Sequence, residues 1–79
     1  MFMIDCVTLD QDTGYKYSDD TVADARAIVE CAIEAANDHG NQARVYLYNH
    51  NSGAEIDCGG AADMTLDMAQ DCLTAANEV

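Results

Sequence analysis

The period of the hydrophobic positions along this chain switches between two and helical, and each switch predicts an element. Phe2 to Leu9, rich in Ile, Val, Thr and Phe, suits a strand. The polar tract Asp10-Gln11-Asp12-Thr13-Gly14 follows, with a glycine that can take the left-handed conformation. Tyr15-Lys16-Tyr17 then alternates as a returning strand, so a hairpin is predicted. Ser18, Asp19 and Asp20 offer helix-capping oxygens. From Thr21 onward Val22, Ala25, Ile28, Val29, Ala32, Ile33 and Ala36 recur at helical spacing, and Gly40 supplies the stop.

The order then repeats. Arg44 to Asn49 reads as a strand, Asn51-Ser52-Gly53 as a turn, and Glu55 to Cys58 as a short returning strand. Gly59-Gly60 breaks the chain, and Ala61 to Asn77 reads as a second helix with Ala62, Leu66, Ala69, Cys72, Leu73 and Ala76 facing inward. Thr13-Gly14 is echoed at Ser52-Gly53, and Ala23-Asp24 recurs at Ala62-Asp63 with the same shift along the chain. The expectation is one α+β domain over 1–79, built from two ββα units of about 1–40 and 41–79. Neither helix is stable alone. A four-stranded antiparallel sheet of two hairpins, with both helices on one face, is the economical two-layer sandwich in ββαββα order.

Charge changes the picture from fold to partner. Fifteen Asp and Glu face three bases, Lys16, Arg26 and Arg44, for a net charge of −12 on 79 residues. Scaling by mass gives a surface of roughly 4,700 Å², or about one uncompensated charge per 400 Å². Such a field repels nucleic acid and anionic membranes and attracts basic surfaces. The segments 19–38 and 61–79 carry ten acids against Arg26 alone, so the helices supply most of it. Asp20/Asp24, Glu30/Glu34, Glu34/Asp38, Asp63/Asp67 and Asp67/Asp71 are like-charge pairs at i,i+4. Together they cost roughly 1–2.5 kcal/mol before screening. Carboxylates about 6 Å apart along a helix also imitate, sparsely, a row of phosphates.

Candidate chemistry is thin. Asp10 to Gly14 has its glycine at the fifth place rather than the sixth, and Thr21 stands where a calcium loop needs glutamate. Cys6, Cys31, Cys58 and Cys72 contain no Cys-x-x-Cys pair, and His39 and His50 are not spaced for zinc. Free thiols at core positions are expected, with no metal and no cofactor. Ala61 to Asp67 resembles the Asp-Ser-Leu neighbourhood of acyl carrier proteins, but Met64 replaces the serine that would bear the prosthetic group. No nucleophile–base pair or phosphate loop is visible, so an enzyme is not expected. The start of the chain lacks a basic, apolar export pattern and no run is long enough to span a bilayer. A cytoplasmic address in a bacterial host is expected.

In size and charge the chain resembles the small acidic inhibitors that phages and mobile elements direct against host defence, such as anti-CRISPR proteins and antirestriction DNA mimics. The resemblance implies a blocker of the basic nucleic-acid-binding surface of a defence complex, for example a CRISPR effector. The expected contact residues are Asp63, Asp67 and Asp71 with Met64 and Met68 on the second helix, and Asp20, Asp24, Glu30 and Glu34 on the first. The second helix is favoured, because its three acids form an uninterrupted row while Arg26 interrupts the first. Tyr46 and Tyr48, beside Arg44, are expected on the open sheet surface. The alternative is a structural or homo-oligomeric module, monomer or homodimer, whose acidity serves solubility or halophilic adaptation.

Overall fold

The computed structural model describes residues 3–79; Met1 and Phe2, and with them the predicted start of the first strand, lie outside the described residues. The elements run β1 (Ile4–Asp10), β2 (Lys16–Val22), α1 (Ala25–His39), β3 (Ala43–Asn49), β4 (Glu55–Gly60) and α2 (Leu66–Glu78). Short 3₁₀ turns at Gly40–Gln42 and Ala61–Asp63 precede β3 and α2. The architecture is the predicted α+β one in ββαββα order. The sheet has the order β2-β1-β3-β4 with every neighbour antiparallel. The two hairpins therefore meet through β1 and β3 at the centre.

Alternation decides which side of the sheet is covered. Ile4, Cys6 and Thr8 of β1 and Ala43, Val45, Leu47 and Asn49 of β3 are buried beneath the helices. Ile28, Ala32 and Ala35 of α1 and Ala69, Leu73 and Ala76 of α2 close the core from above. Small residues at most helix contacts let both helices sit close on the sheet. The total surface is 4610 Å², in line with the value expected from mass.

Both hairpin turns are built alike. Gly14 and Gly53 have φ of 75° and 76°, and their N–H groups donate to the carbonyls of Asp10 and Asn49. The Asp10 side chain accepts from the N–H of Asp12 and Thr13, while Asn49 accepts from Asn51 and Ser52. The strands and turns match at one shift along the chain, Gly14 onto Gly53. The buried helix positions Ile28, Ala32 and Ala35 match Ala69, Leu73 and Ala76 at a slightly larger one.

Several boundaries differ from the sequence expectation. Ser18, Asp19 and Asp20 do not cap a helix. β2 continues through them to Val22, pairing Val22 with Ile4, and the Thr21 hydroxyl donates to Asp5. Cross-strand bonding and burial of Val22 outweigh local capping preference, and acids suit a strand at the sheet edge. Asp24 is the true cap of α1, accepting from Ala27 N–H at 2.9 Å. The second helix starts at Leu66 rather than Ala61, capped by Thr65. Ile33 and Leu66, expected inward, are 54% and 55% exposed, and Ala62 is exposed as well.

Candidate acidic binding surface

Once the elements are in place, the charges separate by side. On the open sheet face the pairing register sets Lys16, Asp19 and Thr21 of β2 beside Leu9, Val7 and Asp5 of β1. Arg44, Tyr46 and Tyr48 of β3 follow, then Asp57 and Glu55 of β4. Val7, Leu9, Tyr46 and Tyr48 form a half-buried apolar centre. Around it every base on the face has a partner. Lys16 pairs with Asp19 at 3.2 Å, Arg44 with Asp57 at 2.8 Å and His50 with Asp5 at 2.8 Å.

These contacts leave a titration signature. The His50 hydrogen bond holds the Asp5 carboxyl below its ordinary range, although partial burial works the other way. Desolvation pushes Asp57 up, but the Arg44 guanidinium and the Gly59 N–H outweigh it and hold the carboxyl low. Asp57 in turn raises the Arg44 pKa.

The helical side is different in kind. Among the described residues, no helical carboxylate is in an ion pair. Glu30, Glu34 and Asp38 are exposed at i,i+4 along α1, and Asp67 and Asp71 are exposed along α2. Arg26, also exposed, has no ion-pair partner among the described residues. Ile33 and Leu66, together with Met68 at 38% exposure, place apolar surface on the same helices.

The expected site residues are thus redistributed. Asp63 lies in the 3₁₀ turn and Asp67 in α2, so the row Asp63-Asp67-Asp71 is not one continuous helical face. The uninterrupted row is Glu30-Glu34-Asp38 on α1. Asp20 stands on β2 and Asp24 at a cap, so they are not a helical pair either. Met64 packs against the core, leaving Met68 as the more accessible of the two. Tyr46 and Tyr48 do lie on the open sheet face.

Sequence reading missed Ile33 and Leu66 as surface residues. The signal for Ile33 was present, since it lies three positions after Glu30 and next to Glu34, on the acidic side of the helical wheel. It also missed a small cleft of about 80 Å³ between α1 and β2, lined by Thr8, Tyr17, Asp20, Cys31, Glu34 and Asp38 among others. There the His39 ring stacks on Tyr17 with centroids 3.5 Å apart, and the Tyr17 hydroxyl donates to Asp10. No convergence of residue types in sequence marks this cleft, because its walls come from three elements.

Among the described residues no group of three or more His, Cys, Asp or Glu is arranged to hold a metal ion. No described helix is long and apolar enough to cross a membrane. No family model, curated protein or solved structure matches the chain.

Proposed function

We propose that the chain is a non-enzymatic inhibitor that lays its helical side on the basic nucleic-acid-binding surface of another protein. The observation that carries this reading is the sorting of charge among the described residues: on the sheet face Asp5, Asp19 and Asp57 are in ion pairs and Glu55 is not, whereas none of the helical carboxylates is in one. Unpaired carboxylates at i,i+4 repel one another in the free protein. A partner that brings Lys or Arg relieves that repulsion, so its arrival is electrostatically favoured and fast. Ile33, Leu66 and Met68 add adaptable apolar contact within the same footprint. The resemblance to anti-CRISPR and antirestriction mimics makes a bacterial defence nuclease, acting in the cytoplasm, the first class to test.

The test is displacement of labelled DNA from a panel of CRISPR effectors and restriction enzymes, measured between about 50 and 500 mM salt. A true mimic competes with nucleic acid for one site and loses affinity steeply with salt. Reversing Glu30, Glu34 and Asp38 to Lys weakens competition more than reversing Asp63, Asp67 and Asp71. Unchanged competition by both triple variants, or no salt-sensitive target in the panel, removes the proposal.

A second reading has its own observation. The open sheet face holds Val7, Leu9, Tyr46 and Tyr48 within a rim where Lys16, Arg44 and His50 pair with acids, and Glu55 alone of the facing acids is unpaired. It is the side on which a second copy of so acidic a chain meets least repulsion. Sedimentation that gives a dimer for wild type and a monomer for Tyr46→Glu supports a homo-oligomeric module. A monomer for both discards it.

A further inference from the structure

Two features of the open sheet face favour a second copy of this chain as its cover. The first is where the net charge lies. Lys16 and Arg44 offset half of the face's four acids, Asp5, Asp19, Glu55 and Asp57. The face therefore holds two of the twelve net negative charges, and the rest of the molecule holds ten. Two copies meet with least repulsion sheet to sheet, both helical layers outward. The second feature is the order of charge along the strands. The register sets Asp5 and Glu55 in line with Tyr48 at one end of the face, and Lys16 and Arg44 in line with Leu9 at the other. Val7 and Tyr46 fill the row between, with Asp19 and Asp57 at its two edges. One end of the face is thus acidic and the other basic, about 14 Å apart along the strands.

Sheets that pack face to face keep their strands roughly aligned. A closed pair of copies then has two candidate twofold axes in the plane between them. An axis parallel to the strands lays the acidic end of one face on the acidic end of the other. An axis across the strands, level with Val7 and Tyr46, turns one copy end for end. Tyr48 then lies over Arg44 of the second copy, with Glu55 beside that guanidinium and Asp5 beside Lys16 of the second copy. Asp19 and Asp57 do not choose between the axes. Each meets an acid either way, at an edge open to water and with a base of its own. Arg44 can take a second carboxylate, because both of its bonds to Asp57 come from Nη2 and the guanidinium carries further N–H donors. Glu55 is exposed and is in no ion pair among the described residues.

We propose that two copies stack sheet to sheet about a twofold axis across the strands, with Glu55 of each copy on Arg44 of the other. This arrangement rests on the homo-oligomeric reading of the face. It leaves the helical side open to a basic partner, so that one particle presents two acidic layers. Tyr48 covers Arg44 of the second copy as a cation–π contact. Tyr46, near the axis, meets Tyr46 of the second copy. Four strands about 4.8 Å apart and three rows of side chains give a footprint of roughly 400 Å² per copy. That is about half of the ~800 Å² per partner in a standard interface. The dimer is therefore weak and depends on concentration, and its charge order sets the orientation more than the affinity.

The experiment is sedimentation and native mass spectrometry of the whole chain from about 10 µM to about 1 mM, at about 0.15 M salt. Wild type is expected to dimerise within this range. Glu55→Lys makes each copy less negative, which by general repulsion alone tightens self-association. The expected result is the opposite, dimerisation at least about tenfold weaker, because the new ammonium faces Arg44 of the second copy. Arg44→Glu weakens it likewise. An equimolar mixture of the two variants recovers a heterodimer about as tight as the wild-type dimer. One of its two contacts has the charges exchanged, and the other keeps the native pair. Circular dichroism checks that each variant is folded, and Glu55→Lys, at an exposed side chain in no ion pair, decides the axis by itself. Glu55→Lys that dimerises as tightly as wild type or more tightly, while Tyr46→Glu is a monomer, overturns the axis and leaves the sheet-face dimer standing. A dimer that survives Tyr46→Glu, or a wild type still monomeric at about 1 mM, overturns both. Neither outcome touches the competition with DNA that tests the helical side.

Discussion

Asn49 is 1% exposed, and both ends of its side-chain amide are used. The amide nitrogen donates to the Ala76 carbonyl at 2.7 Å, and the oxygen accepts from the turn N–H groups of Asn51 and Ser52. It ties a hairpin turn to the last turn of α2. Asn49→Ala leaves those groups without their partner and is expected to cost roughly 2–4 kcal/mol in urea unfolding. Asn49→Asp keeps the acceptor and loses the donor, setting a carboxylate against a carbonyl. Its folded pKa is raised, so its deficit relative to wild type is smallest below about pH 4 and grows as pH rises toward neutrality. A deficit independent of pH contradicts this account. Asp5, Asp10 and Asp57 follow the opposite sign. Their folded pKa values lie below the ordinary 3.8. The stability they contribute is present above that value and is lost as pH falls through the folded ones. His50→Gln is expected to move the Asp5 carboxyl back toward 3.8, read by carbon NMR of that carboxyl group.

At the scale of the element, α1 shows how a helix divides its apolar residues. Ile28 is fully buried and Ile33 is 54% exposed, although the two are the same residue type on one helix. Ile28→Ala is expected to cost about 2–4 kcal/mol and Ile33→Ala under about 0.5 kcal/mol. Comparable losses at both sites place Ile33 in the core and refute the exposed helical side. The caps are equally specific. Asp24→Ala and Thr65→Ala each remove an acceptor for a first-turn N–H and are expected to cost about 1 kcal/mol. Asp20→Ala carries no capping loss, because β2 runs through that position. Both helices, both turns and the ββαββα order were legible as periodicity and glycine placement. The length of β2 was not, since Ser18, Asp19 and Asp20 locally favour a helix cap and pairing with β1 overrode that preference. The row on α1 and the broken row on α2 were likewise invisible. Ala61 to Asp63 has helical composition but folds as a 3₁₀ turn.

At the scale of the molecule, −12 charges on a 4610 Å² surface make self-repulsion a global term. Screening shortens from about 10 Å at 0.1 M salt to about 3 Å at 1 M. The thermal midpoint is therefore expected to rise with sodium chloride over this range. Reversal of Glu34 to Lys raises the midpoint at low salt and flattens the dependence, since it removes two like-charge neighbours at once. A midpoint that falls with salt means that the sheet-face ion pairs outweigh helical repulsion.

The sequence by itself determined the local elements and the total charge. Periodicity is set by which residues face inward within one helix or strand, and net charge needs no coordinates at all. The tertiary structure alone decided what those elements bring together. Strand order made β1 and β3 the central pair, and pairing register gathered the bases of the strands with their acids on the open face. Docking of α1 against β2 brought Tyr17 and His39, well separated along the chain, into a ring stack. Such meetings depend on the packing of surfaces from different elements. Composition carries no record of it, because any one residue's spacing reports only its own helix or strand.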